Sequence, residues 1–581
     1  MSNLDWTIVI GYLVLALGLG LYHMRSATRG MANYFLSGRK ATWWLLGTSM
    51  AATSFAADTP LAVSGFIIKS GISWNWYWWC SAMAGMVSLY FFARLWRRSR
   101  VLTDAEFIEL RYSGRPARIL RAYLSIHSGV LCNCIVIGWV NLAMVKVLAN
   151  TIDIDQRYAL WFCFGFSLVY TMMAGLRGVM ATDFIQFFIA MFGSIYLAVV
   201  AVKGVGGLGS IFHRLAEVHG AERAEEITAF FPASGSELFV PVMAFIFFQW
   251  WSAGNPAGGG GNTGHLVQRM LSAKNEKHAF FGVLWYNVAQ YCLRSWPWIL
   301  AGLCGAILYP AIADPEIGYI LLMNEFLPSG ILGLMVVSFF AAYMSTIDTH
   351  LNWGASYLVN DIYKRFINPR ATERQCIVAA MVMTAGLALL GMGVTTVMSS
   401  IRDGWYIITS IGGGVSIIYV LRWYWWRINA WSEIAAMLTG LACTVIFRMG
   451  LGYDYPQVLF WVVPISLGAA LAITFLTRPV DREHLTAFYT RIRPGGRLWA
   501  PVSRAVPGTE RDTAPSKALP AFIFSIGAIY GTLFGVGKLL LGPRWLGALL
   551  LAIAVICAAL VWRYVAGLEW GRATETSDRP G

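Results

Sequence analysis

The sequence predicts an all-α, multi-pass membrane protein, and three observations carry that expectation. Of 581 residues, 57% are hydrophobic and only 13% are charged, against about 25% charged in an ordinary soluble chain. Apolar runs repeatedly exceed the ~18 residues that mark a membrane-crossing helix. The 58 Gly and 20 Pro are scattered among those runs, which excludes collagen-like and disordered chains.

At roughly 20 apolar residues per ~30 Å of hydrocarbon, about fifteen spans are expected. They fall near 5–24, 41–69, 72–94, 117–149, 157–176, 179–203, 237–254, 279–309, 327–357, 372–395, 399–424, 429–449, 456–477, 519–541 and 545–567. The first has no basic residue ahead of it and no small-residue cleavage site behind it, so it is expected to stay as a leading helix. Arg25, Arg29, Arg39 and Lys40 follow it. A cluster from Arg94 to Arg121 surrounds the end of the third span; Arg269, Lys274 and Lys277 follow the seventh; Lys364, Arg365, Arg370 and Arg374 follow the ninth; the loop 478–518 follows the thirteenth. All are odd-to-even connections. The positive-inside rule makes that side cytoplasmic, with the N-terminus outside and the C-terminus inside. The expected location is the bacterial inner membrane or a plasma membrane.

The net charge of +14 is thus accounted for by loops facing a lipid bilayer, and no nucleic-acid partner is expected. The nine Cys lie in or beside apolar segments, and Cys132-x-Cys134 is their closest spacing; the eight His offer no ligand pair at helical spacing. Neither a disulfide scaffold nor a transition-metal site is expected. No nucleophile–base pair suggests an enzyme, and the short polar tail holds no signalling module of the kind a sensor carries. No organic cofactor and no obligatory protein partner are indicated.

One internal pattern points further. Spans two to six start inside and spans seven to eleven start outside, as an inverted repeat requires. The organisation is then a leading helix and loop (1–40), a first five-helix repeat (41–203), an external loop (204–236) holding a short amphipathic helix, a second repeat (237–427), and accessory helices with the basic loop and tail (428–581). Each repeat opens on an interrupted segment, GTSMAATSFAADTP (47–60) and QWWSAGNPAGGGG (249–261). A carbonyl freed inside hydrocarbon is costly unless something binds it. Two kinks packed on their neighbours would leave the same trace, but matching positions in antiparallel halves favour a transport site. The glycine run 258–261 lacks the Lys-Ser/Thr of a phosphate loop.

The sharpest constellation is FFAAYMSTIDTHLN (339–352), in which Ala342, Ser345, Thr346 and Thr349 recur at i, i+3, i+4 and i+7 on one helix face. Hydroxyls and carbonyls offer neutral oxygens to a hard cation. Interhelical hydrogen bonding, worth about 0.6 kcal/mol a pair, is the structural alternative. Asp348 on the same face weighs against it, because a carboxylate at mid-membrane costs ~2.5–3.5 kcal/mol on insertion scales and marks function by default. Asp58, Asp183 and Arg294 are further charges in apolar surroundings. A solute pocket between the broken segments is expected to involve Asp58, Thr59, Trp78, Ser81, Gln249, Asn287, Gln290, Arg294 and Tyr406. Asp58 and Arg294 would hold an ammonium and a carboxylate, or else neutralise each other.

Several motifs resemble the sodium:solute symporter family: ANYFLSGRK (32–40), SMAATSFAAD (49–58), TDAEFIELRYS (103–113), AGLRGVMATDFIQ (174–186), VQRMLSAKNEKHA (267–279) and AAYMSTIDTHLN with VNDIYKR (341–365). The resemblance implies a LeuT-type fold: one leading helix, a five-plus-five inverted repeat, and about four extra C-terminal helices. It implies Na+-coupled import of a small polar solute by alternating access, the solute being an amino acid, organic acid or related zwitterion. A sugar, polyol or other neutral solute, or proton coupling, is the alternative. Sugar-transporting members carry an acidic residue where Trp78 stands here. Carried over residue by residue, the main sodium site uses the carbonyls of Ala52, Phe55 and Ala342 and the hydroxyls of Ser345 and Thr346. A second sodium or proton site falls on Asp183, Ser345, Asp348 and Thr349, where Asp348 departs from the small or hydroxyl residue usual in the family. One or two Na+ are the only ions implied.

Overall fold

The computed structural model describes residues 1–27, 31–259, 263–506, 518–568 and 570. Arg29, the stretch 507–517 of the basic loop, the last two glycines of the 258–261 run and the tail 571–581 lie outside the described residues. Those described are helical, with one isolated bridge between Ala41 and Ala273. Ten helices among them are long and apolar enough to cross a membrane, or eleven with one bent pair taken as a span. The expected fifteen also counted segments that form shorter pieces, such as Phe239–Ser252, and a run from Ile72 to Ser99 divided among short helices.

Six helices position the site: α1 (Asn3–Ala27), α2 (Trp43–Thr53), α3 (Asp58–Ser70), α4 (Gln156–Gly204), α5 (Gly264–Ser272) and α6 (Ile331–Ser356). Helices α2 and α3 form the bent pair, inclined at 55° across the break. The expected spans 157–176 and 179–203 fall within one helical stretch, 49 residues long. Straight, it would measure about 73 Å, and residues twelve apart would be about 18 Å apart. Yet the hydroxyls of Tyr170 and Thr182 meet at 2.9 Å. So α4 doubles back between them, and Asp183 sits just past the bend.

Helix starts are capped as the sequence allows. Thr372 and Gln375 form a capping box ahead of Glu373–Val397, and Asn429 caps Ala430–Thr444. The cap of α6 comes from the leading helix: Asp5 Oδ1 accepts from the amides of Gly330 (2.7 Å) and Gly333 (2.8 Å). At the same end, Lys146 bonds Asp314 (2.8 Å) and Glu316 (2.6 Å). Glu316 also accepts from Ser400 (3.1 Å) and the amides of Ile401 and Arg402, where a carboxylate complements the dipole of helix Ile401–Gly413. The connection 204–236 carries two short helices, Ile211–His219 and Ala221–Thr228, where one was expected.

The basic face needs a correction. Several arginines counted there as loop charge are buried structural groups. Arg111 is fully buried and donates to the carbonyls of Arg422 (2.7 Å) and Trp425 (3.0 Å). Arg121 binds Asp361 and Glu109, each at 2.5 Å, and Arg94 and Arg98 share Glu276 at 3.0 and 3.1 Å. Arg269, assigned to a loop, is fully buried on α5. Charge counted along a chain carries no register between segments, so a paired arginine and a solvated one look alike.

Candidate functional site

At the break between α2 and α3, three carbonyls leave the helical ladder and find side chains. Arg294 donates to the carbonyls of Ala51 (2.5 Å) and Ser54 (2.9 Å) and to Gln290 (2.5 Å). Thr346, on α6, donates to the carbonyl of Thr53 (2.9 Å) and shares its hydroxyl with the carbonyl of Ala342 (3.2 Å). The carbonyl of Ala52 accepts from the Phe55 amide at 2.9 Å. Unwound main chain from one half and the hydroxyl stripe of the other are therefore in direct contact, as the stripe suggested.

The other break begins later than the sequence indicated: the helix runs through Ser252, and the next starts at Gly264. Asn255 stands at φ 44° and its amide donates to the Gly259 carbonyl (2.7 Å) and Thr263 (2.8 Å). Gly259, at φ 85°, has no room for a side chain: a Cβ would lie 3.0 Å from both Arg422 Nη2 and Asp104 Oδ2. Gly258 and Gly259 are thus tightly packed within this interruption.

A cavity of about 320 Å³ lies between the two breaks, at the small end of the roughly 300–1,000 Å³ typical of ligand pockets. Seven of the nine residues expected at the solute line it: Asp58, Thr59, Trp78, Ser81, Gln249, Asn287 and Gln290. Arg294 and Tyr406 do not. Arg294 is fully buried, held on the carbonyls above and against the rings of Phe55 and Trp298, and it makes no ion pair with Asp58. Tyr406 stacks on Tyr455 beside the cavity and accepts from Trp74 at 3.1 Å.

Three buried side-chain carbonyl or carboxylate oxygens in the lining have no hydrogen-bond partner, Asp58 Oδ1, Asn255 Oδ1 and Asn287 Oδ1. Asp58 Oδ2 accepts from Trp405 at 2.8 Å. Asn287 fits only because Gly85 faces it; a Cβ there would lie 2.0 Å from Asn287 Oδ1. Gln249 is committed on both sides, donating to the Tyr77 carbonyl (2.6 Å) and accepting from Tyr455. Turns of π type at 245–249 and 288–293 flank Gln249 and Gln290, and such turns recur at functional sites. Sequence reasoning missed Tyr77, Trp405 and His350 in the wall; their signal was only an aromatic or imidazole in an apolar span, which is common.

Beside Thr346 lies an acidic cluster. Asp183 and Asp348 are both buried. Asp183 Oδ2 accepts from Ser49 (2.5 Å), while its Oδ1 and the neighbouring Ser345 hydroxyl have no hydrogen-bond partner of good geometry. Asp348 accepts from Thr171 at 2.5 Å. Thr349 meets Thr53 at 3.1 Å and accepts from Arg269 at 2.6 Å. The four residues expected at a second cation site fall in one buried cluster, together with an arginine that was not expected there.

The family model for the sodium:solute symporter family matches residues 34–440. The chain belongs to that family. Among curated members, it is 25% identical to sodium/glucose cotransporter 4 of Danio rerio, over 83% of this chain and 80% of that one. It is 22% identical to the sodium/glucose cotransporter of Vibrio parahaemolyticus, over 83% and 92% respectively. A solved Na+-coupled sialic acid symporter in a substrate-bound outward-open state superposes with a TM-score of 0.71 at 20% identity, covering 83% of this chain and 99% of that one. The fold is thus LeuT-like, and the protein is a membrane-embedded Na+-coupled solute symporter. Family members of this kind are transporters rather than enzymes.

Proposed function

We propose that this symporter imports a small solute rich in hydrogen-bond donors, an amino acid or related amine-bearing zwitterion, from outside the cell across the bacterial cytoplasmic membrane. The observation that carries the substrate class is the set of unpartnered buried acceptors in the cavity wall, Asp58 Oδ1 with Asn255 Oδ1 and Asn287 Oδ1. A buried acceptor left unpaired costs about 1–3 kcal/mol, which an ammonium or hydroxyl donor recovers. Arg294 is committed to main-chain carbonyls, so a simple organic acid has no free guanidinium to meet. A neutral polyol is the second reading: its hydroxyls suit the same acceptors, and the curated relatives are named for glucose and, in Homo sapiens, myo-inositol.

Sodium takes the main site between Ala52, Phe55, Ala342, Ser345 and Thr346. Contact of the Thr346 hydroxyl with the carbonyls of Thr53 and Ala342 supports that placement. The ion joins α6 to the break, favours the outward-open arrangement and completes the solute cavity, so coupling is differential affinity between states. A second cation, Na+ or H+, belongs to Asp183, Ser345, Asp348 and Thr349. The N-terminus lies outside and the C-terminus in the cytoplasm.

Uptake into liposomes, with and without an inward sodium gradient, tests the whole reading. Solutes bearing an ammonium should compete for uptake, and Asp58→Asn should weaken their competition by about tenfold or more while leaving a neutral polyol's little changed, since hydrogen bonds to charged groups contribute about 1.5–3 kcal/mol. Thr346→Ala should raise the sodium needed for half-maximal uptake. Uptake indifferent to the sodium gradient, or Asp58→Asn without effect, defeats the corresponding half.

A further inference from the structure

Arg269 reaches the oxygens that a second cation would use. Its Nη2 donates to Thr349 (2.6 Å) and Thr53 (3.1 Å) and lies 3.8 Å from Asp183 Oδ2; its Nε faces Ser49 at 3.3 Å. Arg269 and Asp183 are both fully buried. Thr349 and Asp183 belong to the proposed second site, and Thr53 carries the carbonyl that Thr346 holds. Asp183 Oδ1 and Ser345 Oγ have no partner of good geometry other than each other. Thr349 Oγ1 and Asp183 Oδ2 therefore face a side chain bearing the same charge as the ion.

We propose that Arg269 is a tethered counter-ion that competes with Na+ for Asp183 and Thr349, and that it must withdraw before the ion binds there. The proposal rests on the sodium reading above. Two cations cannot share one carboxylate in a low-dielectric pocket without strong mutual repulsion. Helix α5 gives the withdrawal a consequence, because His265, Leu266 and Met270 of the same short helix line the solute cavity. Displacing Arg269 shifts the wall against which the solute rests. Ion binding and solute binding are then linked through one rigid element, as coupling between two sites requires. Arg269 is a positioning residue in this scheme and touches no solute.

The test titrates Na+ against choline at constant ionic strength on the purified full-length protein, reading the sodium-dependent rise in unfolding temperature. Arg269→Gln should lower the half-saturating sodium concentration by about tenfold, within the range of typical site–site coupling. Arg269→Lys, which keeps the charge but spans fewer oxygens, should shift it the same way and by less. In an Asp183→Asn background the glutamine substitution should produce no shift. An unchanged or raised half-saturation in the folded, sodium-responsive glutamine variant overturns the proposal, as does an equal shift with Asp183 already removed. Should the glutamine variant not fold, the lysine variant decides, and an unchanged titration there counts against the proposal. A wild-type protein that ignores sodium altogether, with Thr346→Ala no different, would instead remove the sodium reading itself.

Discussion

Arg294 shows how much a single guanidinium can hold together. It bonds two carbonyls freed at the break and one glutamine in the cavity wall, so the unwound stretch is fixed by a cation of the protein's own. Arg294→Lys keeps the charge but loses the planar fork. The expected outcome is a lower unfolding temperature and slower uptake, with the sodium requirement shifted because Ala52 and Phe55 lie in the same stretch; an unchanged melt and unchanged uptake would refute it. The hydroxyl stripe from Ala342 to Thr349 was legible in the sequence because both its spacing and its carboxylate are costly anywhere else in a membrane. Arg294 and Arg269 were not legible in their true roles. Their partners Ala51 and Asp183 lie 243 and 86 residues away along the chain, and no local pattern records which segments will meet.

At the scale of elements, an ion-paired latch joins helix Asn133–Ile152 to the start of helix Ile401–Gly413. Lys146 holds Asp314 and Glu316, and Glu316 caps the helix that begins at Ile401 and carries Trp405 and Thr409 into the cavity wall. Glu316→Gln removes the charge from both contacts, leaving Lys146 with Asp314 alone. A cysteine placed at Thr409 should then react faster with a polar thiol reagent in detergent than it does with Glu316 intact; equal rates would show that the latch does not govern access. Helix lengths were readable from apolar runs, because the bilayer sets them. The subdivision of 72–99 was not, since a glycine or tryptophan marks a permissive place without saying whether the helix uses it. The reversal within α4 falls where the expected spans 157–176 and 179–203 meet.

At the scale of the whole molecule, the 47–60 break, the cavity and the hydroxyl stripe meet, with Thr53 and Thr346 both in the cavity wall. The meeting of that break with the 339–352 stripe was the feature most legible in the sequence. The first crossing adds something no repeat logic contains. Asp5 seats the start of α6 through two amides, those of Gly330 and Gly333. During synthesis, then, Asp5 emerges 325 residues before Gly330, and its carboxylate finds these donors only once that intervening stretch is made. Asp5→Asn should accordingly reduce the yield of assembled protein far more than the turnover of the molecules that do assemble, and a yield equal to wild type would argue against it. A residue of α1 thereby sets when α6 can settle, and biogenesis rather than transport is where its loss will be felt.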